Sequence, residues 1–395
     1  AGGTLKRGNA LYGVYIGNVA QDNRIGGSSA GERNLIYGNG QDGVRIEHGA
    51  TDDNVVSGHY IGTNASGTAA LANSWNGVRI TAGARGNTIG GNAPGMGNLI
   101  SGHLGTDWAG VRIDGMGTMN NVVIGNRIGT DASGTASLYQ ERGVYICDGA
   151  MYNLVGGSAS GERNVISGNF TGVELDGAET SYNRVRGSYI GLTASGNAAL
   201  PNTYVGVYIH GGANRNIIGG TAAGEGNVIS GNANHGVGIF YSGANTNTVA
   251  GNYIGTDASG LLPVPNGWEG VMIYDGPDDT VVGPGNVIAF NGHNGVYVYG
   301  SGSDRNQITR NSIYGNGLLA IELESSANDN VAAPTITSVT FNPVVIAGTA
   351  CANCTVELFA NAAPDGEGQC YLGSATAGAG GAFTFVVGSQ WMRYP

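Results

Sequence analysis

A four-residue phrase, Gly-Val-x-Ile, returns along most of the chain and constrains its fold more than any other feature. It starts at Gly13, Gly43, Gly77, Gly110, Gly143, Gly172, Gly206, Gly236, Gly270 and Gly295, and in degraded form (Ala-Ile-Glu-Leu) at Ala320. Successive starts lie 25 to 34 residues apart. A period in that range, sustained along the chain, points to stacked units that bury their apolar faces only against one another.

Shorter and longer turns alternate, so every second phrase recurs at 63 to 66 residues from Gly13 to Gly270. Each turn holds three short β-branched runs: GVxI, then N-x-I/V-x-G, then NVISGN or NYIGT. Gly, Asn, Ser and Asp bound these runs, which is strand-and-turn chemistry. No stretch carries a sustained 3.6-residue period, so helices should be nearly absent. Three strands per turn suit a parallel β-helix better than a propeller, whose blades need four strands and about 40–50 residues. Asn23, Asn54, Asn87, Asn121, Asn153, Asn183, Asn216, Asn247 and Asn306 share one repeat position, and Asn34, Asn98, Asn164, Asn227 and Asn286 share another. Asparagine tolerates the backbone of a bend, and its amide can bond the next asparagine up a stack, so these columns are expected to be structural.

The GVxI, N-x-IGG, GNVISGN and IGTDASG phrases resemble the repeats of right-handed parallel β-helices of the pectate-lyase-like fold, found also in large secreted bacterial surface proteins. The resemblance implies an all-β chain of about 10–11 coils, secreted or at the cell surface, with lyase, hydrolase, epimerase, binding and adhesive roles all open. Residues 1–328 are expected to form the helix. Residues 329–395 carry alternating runs such as TITSVTF and TVELFA, which resemble an incomplete immunoglobulin-like β-sandwich segment. The start at Ala1, with no Met and no signal-like segment, reads as a mature or trimmed product.

Composition narrows the functions. The formal net charge is -11 and the only lysine is Lys6, so no basic stripe is available for nucleic acid. No apolar run is long enough to span a bilayer. No glycine-rich phosphate loop stands between a strand and a helix, so no nucleotide cofactor is implied. With 74 glycines but only 10 prolines and no three-residue period, the chain is not collagen. Cys351, Cys354 and Cys370 cluster near the C-terminal end, where a disulfide is plausible but its pairing is open. No resident metal or cofactor is expected. Structural Ca²⁺ at the Asp-rich turns (Asp52-Asp53, Asp131, Asp257, Asp278-Asp279) is the alternative to plain turn-forming aspartates.

Side-chain direction locates the chemistry. Val and Ile of GVxI must point inward, so x and the residue after Ile face outward together. Those two columns bring Arg79, Arg112, Tyr145, Glu174 and Tyr208 beside Asp114, Asp176, His210 and Tyr274. A third column, two residues before each Gly, supplies Trp75, Trp108, Phe170, Tyr204 and Trp268. Together with Tyr241, these aromatic and polar groups are candidate substrate-binding residues. Rings can cover sugar C–H faces while polar groups bond hydroxyls, although the same rings could simply stack as a ladder. Arg79 and Arg112 could hold a carboxylate or sulfate of an acidic glycan.

Asp114, Glu174 and Asp176 are the candidate catalytic acids. Glu174 and Asp176 lie two apart on one strand, about 6.5–7 Å between Cα atoms, and Asp114 and Asp176 lie two rungs apart, roughly 9–10 Å. Both separations favour the spacing of inverting glycosidases. The expectation is therefore a glycoside hydrolase acting on a polysaccharide. A non-catalytic carbohydrate-binding or adhesive module is the alternative, and a polysaccharide lyase using Tyr145 or Tyr208 with His210 or an arginine the second alternative. A lysine-based lyase mechanism is excluded by composition, and Cys147, though in the strip, has no ordered base to make it a nucleophile.

Overall fold

The computed structural model describes residues 8–361 and 367–387. Lys6 and the segment from Gln390 to Pro395 lie outside the described residues. Three parallel sheets of 11, 10 and 10 strands run the length of the repeat region, each sheet built from one strand of every coil. The coils are numbered here 1 to 11 by their GVxI strand, from Val14–Gly17 to Ile321–Glu324. No α-helix occurs among the described residues, only short 3-10 turns.

The phrase dictates this stacking. In the central coils Val111, Val144 and Val173 lie in register, as do Ile113, Ile146 and Leu175, and all are fully buried. Val, Ile and Leu from all three sheets merge into one continuous apolar core. The glycine before the strand is required by close approach: a Cβ on Gly143 would lie 2.5 Å from both the Gly172 carbonyl oxygen and Ile166 Cγ2. Ordinary non-bonded carbon contacts sit near 3.5–4 Å, so any larger residue would force coils 5 and 6 apart.

The asparagine columns are hydrogen-bonded ladders along the axis. The Asn153 backbone N–H donates to Asn183 Oδ1 at 2.9 Å, and Asn183 in turn donates to Asn216 Oδ1 at 2.9 Å. The second column is likewise continuous through Asn98, Asn126 and Asn164, and through Asn227, Asn252 and Asn286. These amides satisfy buried bends that sheet hydrogen bonding cannot reach. A third ladder, unexpected from sequence, runs through Asn169, Asn202, Asn232, Asn266, Asn291 and Asn316. In coils 4 and 5 His103 and Gln140 stand in for asparagine there, His103 contacting Asn73 and Gln140 at 3.2 Å each. Burial pulls the His103 imidazole down to about 4.

The alternation of turn lengths has a structural counterpart. The longer turns carry hairpins closed by the bridges Thr63–Ala70, Thr130–Ser137, Leu192–Ala199 and Thr256–Pro263. Each hairpin bonds the one two coils away: Ala132 N to Gly67 O, Ala194 N to Gly134 O and Ala258 N to Gly196 O, at 2.8–2.9 Å. Inside them, Asp131 Oδ1 accepts from the Thr135 and Ala136 N–H groups, and Asp257 Oδ1 from those of Leu261 and Leu262. The aspartates thus close their own turns, and Asp278 and Asp279 pair with Arg305.

Beyond coil 11, antiparallel strands from Thr335 onward form a three-stranded and a two-stranded sheet. They meet the last coils through the Ile313–Gly368 bridge and through Glu357, which accepts from Thr309 Oγ1 and the Arg310 N–H. Cys351 and Cys354 form a disulfide, whereas Cys370 is a free thiol.

Candidate active site on the outer face of the first sheet

The first sheet places the expected columns in register. Arg79, Arg112, Tyr145, Glu174 and Tyr208 follow one another on adjacent strands, as do Thr81, Asp114, Cys147, Asp176 and His210. Within these columns the side chains sort into distinct groups.

Asp114 is a structural anion. It is only 4% exposed. Arg79 grips it with two hydrogen bonds of 2.7 Å, Thr81 Oγ1 donates at 2.9 Å and Arg112 Nε at 3.2 Å. Burial alone would raise its pKa, but the Arg79 pair outweighs it and holds the carboxyl below the usual range. Such an anion has no proton to give and no lone pair free for water. Arg79 and Arg112 are equally committed, Arg112 also reaching Asp148 at 3.2 Å, so neither is free for an acidic glycan.

One coil-pair further on, Glu174, Asp176 and His210 converge. One donor atom from each lies within 4.8 Å of the others. His210 Nε2 is 3.2 Å from Glu174 Oε1 and its Nδ1 is 3.3 Å from Asp176 Oδ1. The side chains lean together onto the imidazole, so at their nearest atoms the two acids are closer than their Cα spacing suggests. Glu174 is buried and paired with Arg142 Nε at 2.8 Å, while Asp176 is more open and accepts the Tyr145 hydroxyl at 2.9 Å. Arg142 and Arg112 lie over the Tyr145 ring, 4.6 and 5.0 Å from its centre. Burial, first, and the acids around it push the Tyr145 phenol well above its usual range, which keeps it a donor. Tyr208 stacks on His210 at 4.1 Å and fixes its ring. Cys147, between the two aspartates, is buried and its thiol pushed far up; it is not a nucleophile.

The aromatic column both stacks and lines the rim. Trp75 stacks on Trp108 at 5.3 Å, Phe170 on Tyr204 at 5.2 Å and Trp268 on His293 at 5.5 Å. Phe170 and Trp268 are more than a third exposed. Tyr241 meets Tyr274 edge-on at 6.5 Å, and Tyr274 stacks on Tyr299. Phe240, not singled out from sequence, bridges this group to Tyr208.

A further column, the residue just before each Gly, was also missed. It supplies Asp42, Arg142, His235 and Glu269. Glu269 is buried between His235 Nδ1 at 2.8 Å and His293 Nδ1 at 3.3 Å. Burial opposes its ionisation, yet the His235 imidazole holds it below the usual range. The one available signal was the sporadic charge in a column that also holds Tyr12, Asn76, Ala109, Thr171, Val205, Asn294 and Leu319.

Fold and face together define a parallel β-helix that carries a carboxylate–imidazole cluster between aromatic stacks. A family model described as "Periplasmic copper-binding protein (NosD)" matches residues 96–333. The chain belongs to this NosD family, one of right-handed β-helices. Among solved structures, an alginate lyase from Paenibacillus sp. str. FPU-7 is similar at 16% identity and TM-score 0.35, over 70% of this chain and 92% of that one. The Dettilon tailspike protein is similar at 15% identity and TM-score 0.36, over 80% and 66%. A comparison with curated proteins gives no match. Among the described residues no helix is long and apolar enough to cross a membrane.

Proposed function

We propose that the protein acts outside the cytoplasm on a polysaccharide, as a glycoside hydrolase whose centre is Glu174, Asp176 and His210. The observation that carries this reading is the convergence of these three side chains on an outward sheet face flanked by aromatic rings. Asp176, the more open carboxyl, is positioned to give a proton to the glycosidic oxygen. Glu174, ion-paired with Arg142, presents a negative charge to the oxocarbenium-like sugar. His210 bridges both acids and positions them.

Copper, named in the family's description, does not fit this cluster. Its donors are two carboxylate groups and one imidazole, whereas Cu(I) prefers thiolate and thioether and Cu(II) several nitrogens. The thiols add no donor to it: Cys147 is buried, Cys351 and Cys354 are joined to each other, and the free Cys370 belongs to the two-stranded sheet beyond the coils. No step is therefore drawn through a metal.

The test is incubation with a polysaccharide panel, reading new reducing ends. The wild type should release them, and Asp176→Asn and Glu174→Gln should each reduce release about 100-fold or more with an unchanged circular dichroism spectrum. Full activity in both variants would end the assignment. Binding without turnover is the second reading, favoured by aromatic stacks that extend several coils beyond the acids. Retention of glycan with no release by the wild type would establish it.

A further inference from the structure

The face reads as selective in charge as well as in shape. We infer that its ligand is a linear glycan without carboxylates, with amino sugars favoured over neutral ones, and that polyuronates are rejected; this rests on the glycan reading above.

Two independent observations support it. The first is electrostatic. Arg45, Arg79, Arg112 and Arg142 are the guanidiniums of the face, and each already contacts a carboxylate: Asp42 and Glu47, Asp114, Asp114 and Asp148, and Glu174 respectively. Four cations thus meet five anions, before Asp176, Glu141 and Glu269 are counted. A uronate carboxylate arriving here would find no unpaired guanidinium and would be desolvated beside like charge, which disfavours it. The same shortage removes the neutralising group that proton abstraction beside a uronate carboxylate requires. An ammonium group instead finds acceptors at the half-buried Glu141 and at the exposed Asp148, which it would share with Arg112.

The second observation is periodic. Along the rim column the sequence reads Trp75, Trp108, Glu141; then Phe170, Tyr204, Asn234; then Trp268, His293. Each ring pair is stacked with centres 5.2–5.5 Å apart, so ring faces are left unstacked only at the ends of a pair, where Tyr204 also meets Tyr208 and Trp268 meets His235 at right angles. There they flank a single hydrogen-bonding side chain, Glu141 between Trp108 and Phe170, and Asn234 between Tyr204 and Trp268. The motif recurs every three coils, about 14 Å along the axis. A pyranose advances about one rung per unit, so an extended polymer lying along the axis meets the pattern at every third sugar. A globular partner has no reason to match such a repeat.

The test is affinity electrophoresis of the full chain in gels containing chitosan oligomers, a neutral β-glucan, alginate or polygalacturonate, run at low and at 0.5 M salt. The expected result is retention by the amino glycan and, less strongly, by the neutral one, with polyuronates retaining at least 10-fold less. Salt should weaken the amino-glycan interaction and leave the neutral one nearly unchanged. Asp148→Asn, which removes one of the two carboxylates on Arg112 and leaves the other, Asp114, in place, should raise polyuronate retention severalfold. Equal or stronger retention of the wild type by polyuronates overturns the charge selectivity while leaving a glycan-directed face intact. No retention by any of the four overturns the glycan reading and this inference together.

Discussion

Removing one amide from the first asparagine ladder should cost more than most single contacts, and the structure lets the loss be worked through. Asn183 Oδ1 accepts from the Asn153 N–H at 2.9 Å and from its Nδ2 at 3.1 Å, while Asn183 Nδ2 donates to the Ala150 carbonyl at 3.0 Å and to Asn216 Oδ1 at 3.1 Å. In Asn183→Ala, Asn153 Nδ2 keeps a bond to Thr118 O and Asn216 Oδ1 keeps the residue 183 N–H. The Asn153 N–H and the Ala150 carbonyl lose the partner the ladder gave them, and both residues are almost wholly buried. At about 1–3 kcal/mol for each buried orphan, the variant should lose about 2–6 kcal/mol. Asn197→Ala, on an exposed hairpin, is the control and should lose about 0.5 kcal/mol or less. Urea unfolding gives the total. Amide hydrogen exchange gives the location, because a stacked array is stabilised mainly between neighbours and should open around coils 5 to 7 first. A loss no larger than that of Asn197→Ala, or an unprotected region elsewhere, would refute the claim that the ladder holds adjacent coils.

Three further outcomes follow from the same structure. His103 is buried with its folded pKa at about 4, below its unfolded value near 6.5, so its contribution is complete above the unfolded value and is lost as pH falls toward the folded one; His103→Asn should remove about 1.4 kcal/mol per pH unit of slope across that window in pH-dependent unfolding. Asp114→Asn leaves the half-buried Arg79 without its bidentate partner and should cost about 3 kcal/mol near neutral pH, the low end for a broken buried pair, the gap from wild type narrowing as pH falls below the usual carboxylate range, because the Asp114 pKa is depressed in the fold. Trp108→Ala should weaken glycan retention about 10-fold by removing one member of the Trp75 stack, with melting temperature little changed.

The architecture was largely legible because the phrase fixes direction as well as period. Val and Ile inward and x outward follow from strand alternation alone, and the register of Arg112, Tyr145 and Glu174 is the one that counting predicts. The third asparagine ladder had a visible signal, an Asn four residues before the phrase at Asn202, Asn232, Asn266, Asn291 and Asn316, hidden because His103 and Gln140 interrupt it. Pairing within the face was not legible. Alternation tells which way a side chain leaves the strand but not which neighbour it chooses. Asp114 took Arg79 from the adjacent strand, and Glu174 took Arg142 from a column outside GVxI. For the same reason Cα spacing did not show that Glu174 and Asp176 lean onto one imidazole, that of His210.

The hairpins that bond every second coil give the scaffold a step of two, whereas the ring–ring–acceptor motif on the rim has a step of three. The two rhythms coincide only after six coils. Duplication or loss of sequence can proceed cheaply by coil pairs, since any odd change would set a hairpin against a short turn. Yet each added pair displaces the rim pattern by one rung relative to its own period. On the glycan reading proposed above, relatives that differ in length by one or two pairs would then carry the same fold with the rim pattern out of step, and only a change of six coils would lengthen the face while keeping both rhythms in phase.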